Sequence, residues 1–90
     1  MIVARLSGEL RKLTQGEEEV KLVASDVQAC INNLEAQFPG VKAKFCDEKG
    51  EVLDSISIFV NGDNIHSLQG LSTPLKEGDE VDIMSAFAGG

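Results

Sequence analysis

Residues 25–40 read SDVQACINNLEAQFPG and predict the main helix of the chain. The apolar residues of this stretch recur every three or four positions, which places them on one helical face. They are Val27, Cys30, Ile31, Leu34 and Phe38. Ser25 and Gln28 have the spacing of a capping box, in which each side chain bonds a backbone N–H of the first turn. Pro39 and Gly40 end the helix. We expect its apolar face to pack against a sheet.

Two strands are predicted before this helix. Apolar side chains occupy alternate positions at the start of the chain, which is typical of a half-buried strand over residues 2–7. These side chains are Ile2, Ala4 and Leu6. Residues 19–23, EVKLV, show the same alternation. A polar loop with Gly8 and Gly16 joins the two stretches, and we expect them to form a hairpin.

The segment after the helix contains a third strand. Residues 41–55 are mixed in composition and predict a short helical turn followed by a loop. Residues 56–60 read ISIFV, with isoleucine and valine at alternate positions, and predict a central strand of the sheet. Asn61-Gly62-Asp63 follows as a turn, because asparagine and glycine tolerate a positive φ.

The last part of the chain predicts one more strand and a tail. Residues 65–74 are irregular, residues 76–79 (KEGD) form a turn and residues 80–84 (EVDIM) form a strand. One helix among four strands gives a two-layer α+β domain, and this order of elements suits the β-grasp fold. We therefore expect a domain over residues 1–84 and a flexible C-terminal tail over residues 85–90.

Composition and charge exclude several functions. A chain of 90 residues supports one hydrophobic core, and 42% hydrophobic with 26% charged residues is typical of a folded domain. The net charge of −7 repels nucleic acid and favours basic protein partners. No apolar run is long enough for a signal peptide or a membrane helix, so we expect a cytoplasmic protein without a membrane partner.

The nucleophilic and metal-binding side chains show no catalytic pattern. Cys30 lies on the apolar helix face and is expected to be a core residue. Cys46 lies among charged residues and is expected to be a surface thiol. His66 has no partner motif for a triad or a metal site. The sequence also lacks a phosphate-binding loop, so we expect no bound cofactor and no metal.

Four short stretches resemble the MoaD/ThiS sulfur carriers, which are relatives of ubiquitin. They are LRKLT at 10–14, FVNG at 59–62, TPLKEGDEV at 73–81 and AGG at 88–90. The resemblance extends over essentially the whole chain. It implies a ubiquitin-like β-grasp fold, in which a mixed sheet packs on one main helix. We expect Thr73-Pro74-Leu75 and Gly78-Asp79 to set the turn before the last strand and to have no chemical role.

The resemblance also implies a chemical role for the terminal glycine. In this family a ubiquitin-activating-type adenylyltransferase uses ATP to adenylate the terminal glycine, and a sulfur donor converts the product to a thiocarboxylate. Gly90 would be the modified residue. Gly89 would let the tail enter the partner's active site, because a residue without Cβ permits close approach. Phe87 and Ala88 would contact the partner, with Phe87 as an aromatic anchor. The chain would be a co-substrate of enzymes and not an enzyme itself.

The acceptor of the sulfur stays open among several alternatives. The tail and residues 59–70 look most like carriers for cysteine or homocysteine synthesis, which implies a cysteine-synthase-like acceptor. The small subunit of molybdopterin synthase is the next candidate, with the large subunit as its partner. A ubiquitin-like modifier joined to lysines would use the same tail. The remaining alternative is a binding module in which the terminal glycines do no chemistry.

Overall fold

The computed structural model describes residues 1–85, which form a mixed sheet covered on one face by a helix. The strands are β1 (Ile2–Leu6), β2 (Glu19–Leu22), β3 (Ile56–Val60), β4 (Asp63–Asn64) and β5 (Glu80–Ser85). The helices are α1 (Val27–Gln37) and α2 (Lys42–Phe45), with 3₁₀ helices at Gly8–Thr14, Ile65–Ser67 and Gly70–Ser72. Most of the predicted tail, residues 86–90, lies outside the described residues.

The sheet has the order β2-β1-β5-β3-β4. The predicted hairpin of β1 and β2 is confirmed, because the two strands pair antiparallel. β5 lies between β1, to which it is parallel, and β3, to which it is antiparallel. The strand predicted to be central, β3, is an interior strand, and the middle position belongs to β5. β5 also extends one residue further than predicted, so Ser85 lies in the strand and not in the tail.

The core forms between α1 and one face of the sheet. Four of the five predicted helix residues are fully buried, namely Val27, Cys30, Ile31 and Leu34. Phe38, the fifth, packs against the core and is only partly buried. The buried strand residues alternate as predicted, since a strand directs successive side chains to opposite faces. The other face of the sheet, here called the open face, is not covered by α1.

The predicted capping box at Ser25 is wrong. Asp26 is the N-cap of α1, and its side-chain oxygen accepts a hydrogen bond of 2.7 Å from the Ala29 backbone N–H. The reason is tertiary: the Ser25 carbonyl accepts from the Leu75 N–H at 2.9 Å, and Asp26 forms a β-bridge with Pro74. The chain is therefore still extended at Ser25, and the helix begins one residue later.

The prediction of Cys46 as a surface thiol is also wrong, since this residue is only 5% exposed. Cys46 forms a β-bridge with Val52, and the Asp47 N–H donates to the Glu51 carbonyl at 2.8 Å. The charged side chains of this loop point to solvent while its backbone closes on itself. The loop is held next to α2 and covers the thiol.

The arrangement of the strands gives the molecule two distinct ends. Because β1 and β5 are parallel and β3 is antiparallel to them, the starts of β1 and β5 lie beside the end of β3. This end, which contains the turns at 61–62 and 76–79, is called the turn end. The opposite end contains Ser85, the start of β3 and the 3₁₀ helix Gly8–Thr14, and is called the tail end.

Candidate functional site

The predicted site residues, Phe87, Ala88, Gly89 and Gly90, lie outside the described residues, but the strand that leads to them is well fixed. Ser85 pairs with Ile56 and Met84 pairs with Ser57. On the other side, the Ile83 carbonyl accepts a hydrogen bond of 3.2 Å from the Ser7 N–H. The end of β5 is thus held by neighbours on both sides, and the segment that follows starts from a defined point at the tail end.

The 3₁₀ helix Gly8–Thr14 is fixed beside the end of β5. Thr14 is fully buried, and its hydroxyl oxygen lies 2.9 Å from the Arg11 carbonyl oxygen and 2.8 Å from that of Glu17. Gln15 ends this helix in the left-handed region, with a φ of 57°. These contacts position the side chain of Arg11 at the tail end.

A small groove lies at the tail end, between β1, β5 and this 3₁₀ helix. Its volume is about 150 Å³, and it is lined in part by Arg5, Arg11, Glu18, Asp82, Ile83 and Met84. Both arginines of the chain therefore lie in the groove next to the root of the tail. Reasoning from the sequence did not predict this groove, although the LRKLT stretch that resembles the carriers contains one of the arginines.

Arg5 is held on the open face by three carboxylates. Its guanidinium donates to Glu19 at 2.9 Å and to Glu80 at 2.5 Å, and it lies 3.9 Å from Asp82. The hydrogen bonds with Glu80 and then Glu19 raise the pKa of Arg5 above its ordinary value. The bond with Arg5 likewise lowers the pKa of Glu80. This cluster carries more negative than positive charge, so it leaves the open face acidic.

Two apolar side chains lie beside this cluster on the open face. Met84 is 40% exposed, and Phe59 is partly exposed. Phe59 pairs with Asp82, so Met84 is its diagonal neighbour on β5, a separation that long side chains can span. The open face therefore combines two apolar side chains with surrounding acidic groups, close to the end of β5.

The stretches that resemble the carriers at 59–62 and 73–81 are joined to each other at the turn end. The Asn61 amide donates to the Asp79 carboxylate at 3.0 Å, and its oxygen accepts from the Glu80 N–H at 2.9 Å. Asn61 has a φ of 51°, which asparagine tolerates. Hydrogen bonds from the Lys76 N–H and then from Asn61 lower the pKa of Asp79.

Thr73 forms a second junction near the start of α1. Its hydroxyl donates to the Gly70 carbonyl at 2.7 Å and accepts from the Gln69 N–H at 3.0 Å. Its own carbonyl accepts from the Val27 N–H at 3.1 Å. Thr73 and Asp79 thus have the structural role predicted for them, since Thr73 joins the 3₁₀ helix Gly70–Ser72 to the start of α1 and Asp79 closes the turn at 76–79.

The thiols and the histidine do not form a reactive site. Burial raises the pKa of Cys30 to about 12 and also raises the pKa of Cys46, so both thiols are neutral at pH 7. His66 is exposed in a 3₁₀ helix. Within residues 1–85, no three His, Cys, Asp or Glu side chains are grouped so that they could hold a metal ion.

Three further observations bear on the class of protein. Among the helices of residues 1–85, none has the length and apolar character needed to span a membrane. A model of the ThiS family matches residues 4–90. The sulfur carrier protein CysO of Mycobacterium tuberculosis is 32% identical over 83 residues, which cover 90% of this chain and 89% of that protein.

Two solved structures are also similar to this chain in both sequence and fold. A chain of the crystal structure of the Amycolatopsis orientalis BexX/CysO complex has a TM-score of 0.91 and 29% identity, with 100% of both chains covered. The small archaeal modifier protein 1 of Methanosarcina acetivorans has a TM-score of 0.84 and 34% identity, with 99% of this chain and 95% of that one covered. These likenesses confirm the predicted β-grasp fold.

Proposed function

Because the chain belongs to the ThiS family of sulfur carriers, we propose that it carries sulfur on the carboxyl group of Gly90. The observation that carries this proposal is the place of the glycine pair in the sequence, five residues or fewer after the last strand. Gly89 and Gly90 follow β5, the middle strand, whose last residue Ser85 is paired on the sheet. Five residues in extended form span at most ~17 Å, which is enough to enter the active site of a neighbouring protein.

The chemistry follows from the properties of a terminal carboxyl group. With an ordinary pKa of ~3.3–3.7, it is anionic at neutral pH and is a poor acyl electrophile. Attack of its oxygen on the α-phosphorus of ATP, with loss of pyrophosphate, gives an acyl-adenylate. A sulfur nucleophile then attacks the carbonyl carbon and AMP leaves. With hydrosulfide as the nucleophile the product is the thiocarboxylate at once. With a donor persulfide the product is an acyl disulfide, and a thiol must reduce its S–S bond to release the thiocarboxylate, which is itself a nucleophile.

The enzyme that performs the adenylation must be a partner protein, and the open face is suited to bind it. Phe59 and Met84 supply an apolar contact next to the tail, and aromatic side chains are frequent energetic centres of interfaces. Glu19, Glu80 and Asp82 surround Arg5 with excess negative charge. A basic surface on the activating enzyme would complement this arrangement and would speed the encounter.

Cysteine or homocysteine synthesis is the proposed destination of the sulfur. It is supported by the likeness to CysO over 90% of this chain. Affinity capture with the thiocarboxylated chain as bait tests the acceptor. Recovery of a cysteine-synthase-like enzyme supports the proposal. Recovery of a molybdopterin synthase large subunit would overturn it in favour of molybdopterin synthesis.

The intact mass of the protein purified from its own cells tests the carrier function itself. We expect a fraction of molecules in which one sulfur replaces one oxygen, with fragment ions that assign the change to Gly90. A chain without Gly90, expressed in the same cells, is the matched control and should carry no sulfur. Unmodified wild-type protein, from cells that contain the activating enzyme, would contradict the proposal.

A protein modifier is the second candidate, because the small archaeal modifier protein 1 is 34% identical and has a TM-score of 0.84. A modifier would form an isopeptide bond between Gly90 and a lysine of a target. Digestion of cell extract and a search for lysines that carry the terminal residues of this chain tests this candidate. Conjugates without thiocarboxylate would favour the modifier, and thiocarboxylate without conjugates would favour the carrier.

A further inference from the structure

The dipeptide Asn61-Gly62 at the turn end has the composition that favours spontaneous loss of the asparagine amide. In this reaction the backbone nitrogen of the following residue attacks the side-chain amide carbon, and glycine has no side chain to hinder the attack. No other asparagine of the chain is followed by glycine. Both residues are exposed, so water and hydroxide reach them. Reactivity at this dipeptide would be separate from the chemistry proposed for Gly90.

The turn leaves the attacking nitrogen accessible. Asn61 and Gly62 are the two residues between β3 and β4, and both have a positive φ, of 51° and 91°. Positive φ at both central positions is the pattern of a type I′ hairpin turn. Among the backbone hydrogen bonds of residues 1–85, none outside the regular strands and helices involves the Gly62 N–H. The position of the Asn61 amide therefore decides whether the two groups can react.

The amide of Asn61 is held through both of its polar atoms. Its nitrogen donates to the Asp79 carboxylate at 3.0 Å, and its oxygen accepts from the Glu80 N–H at 2.9 Å. The backbone of Asn61 is fixed at the same place, because its N–H donates to the Glu80 carbonyl at 2.9 Å. These bonds hold the amide against the start of β5. Attack by the Gly62 nitrogen requires a rotation of the amide that breaks both side-chain bonds.

We propose that Asn61 is a deamidation site that the turn end protects as long as these two side-chain hydrogen bonds are closed. When they open, the Gly62 nitrogen gives its proton to a base in solvent and bonds to the amide carbon of Asn61. The C–N bond of the amide then breaks, and its nitrogen takes up a proton and leaves as ammonia. Water opens the resulting succinimide at either carbonyl, which gives aspartate or isoaspartate at position 61.

The product cannot rebuild the contact with Asp79. A carboxylate at position 61 has no N–H to donate, and it faces a second carboxylate where the native amide nitrogen lies 3.0 Å from Asp79. Two carboxylates this close repel each other. Asp79 also accepts from the Lys76 N–H at 2.8 Å, so the repulsion acts on the turn at 76–79 as well. Deamidation thus removes the link between the two turns.

The rate of deamidation tests the proposal, measured by mass spectrometry of the peptide that contains Asn61 after incubation of the purified chain at mildly alkaline pH. The folded wild type should react roughly 10- to 100-fold more slowly than the same chain in guanidinium chloride, because two hydrogen bonds must open, one of them to a charged group. Asp79→Ala should accelerate the reaction of the folded protein by roughly tenfold.

Two control variants separate local opening of the turn from other causes. Asp63→Ala removes a carboxylate next to Gly62 that does not hold the amide, and Ile31→Val weakens the buried core away from the turn. Both should react at the rate of the folded wild type. Equal rates in the folded and the unfolded chain would overturn the proposal, as would an Asp79→Ala rate no higher than those of the controls.

An exchange of the two side chains tests the predicted repulsion. Asn61→Asp, which supplies the carboxylate of the product, should lower the thermal midpoint by several degrees. In combination with Asp79→Asn the amide and the carboxylate change places, so a donor again faces an acceptor and most of the loss should be recovered. A double variant no more stable than Asn61→Asp alone would overturn the repulsion. These measurements need only the purified chain, so their outcome is independent of whether Gly90 carries sulfur.

Discussion

The turn end and the tail end of this domain differ in how far their side chains are engaged in contacts within the domain. At the turn end, Asn61 and Asp79 connect two loops through side-chain and backbone hydrogen bonds. These bonds use both the amide group of Asn61 and the carboxylate of Asp79. At the tail end, Met84 and Arg11 remain partly exposed. The difference teaches that two of the four family-like stretches, 59–62 and 73–81, maintain the fold at one end, while the surface proposed to bind partners lies at the other. Changes at the two ends should therefore separate stability from function.

The largest effect is expected from removal of Gly90. The carboxyl group would then sit about one residue, or ~3.4 Å, short of the reacting atoms, and misplacement of that size costs at least ~100-fold in rate. Thiocarboxylate formation with the activating enzyme should fall by this factor, as measured by intact mass. The thermal midpoint should not change. A loss of stability would show that the two ends are coupled.

Asn61→Ala is expected to have the opposite effect, a loss of stability without a loss of sulfur loading. The variant loses the bonds to Asp79 and the Glu80 N–H, and alanine is strained at a φ of 51°. The lost hydrogen bonds and the backbone strain together should lower the free energy of unfolding by roughly 2–3 kcal/mol, measured by urea denaturation. Gln37→Ala, which removes an exposed amide on α1, should change it by less than ~0.5 kcal/mol. Slower sulfur loading of the folded Asn61→Ala protein would contradict the separation.

A smaller effect is expected from Met84→Ser on the open face. If this side chain is part of the docking surface, the affinity for the activating enzyme should fall about five- to tenfold, or ~1 kcal/mol, in a titration. Stability should be nearly unchanged because the side chain is 40% exposed. Val23→Ser is the matched control, since Val23 is 70% exposed at the turn end. Equal losses in both variants would argue against a docking surface at the tail end.

The smallest effect concerns pH. Hydrogen bonds lower the pKa of Asp79 in the folded state below the ordinary value of 3.8. The unfolded chain therefore binds this proton first as the pH falls, so the stabilisation is present above pH ~4 and is lost as the pH falls through the folded pKa. Asp79→Asn should flatten the acid side of a plot of unfolding free energy against pH. Equal slopes for the wild type and Asp79→Asn would show that Asp79 does not cause this loss of stability at low pH.

Local patterns in the sequence predicted the elements well and their tertiary relations less well. The 3.6-residue period fixed the buried face of α1, because side-chain direction within a helix depends only on position. The choice between Ser25 and Asp26 as N-cap depended on a β-bridge to Pro74, about fifty residues away. The burial of Cys46 likewise depended on closure of the chain at Val52. No local pattern contains such contacts.

The candidate site was likewise predicted only in part from the sequence. Gly90 was predicted from the resemblance, and it stays a prediction because it lies outside the described residues. The groove with Arg5 and Arg11 was not predicted, since it depends on β5 lying beside β1. Alternation of apolar residues indicates that a strand exists but does not say which strand is its neighbour. Parallel pairing of the first and last strands is visible only in the folded chain.

That pairing has a mechanical consequence. β5 is bonded to β1 on one side and to β3 on the other, and the hydrogen bonds of both ladders run across the strand direction. Under the proposed function, a partner that pulls on the chain beyond Ser85 would load β5 along its own axis. The load then falls on both ladders in shear, so their bonds must break together before the strand can slide. The domain can therefore be held by its tail under force while its core stays folded.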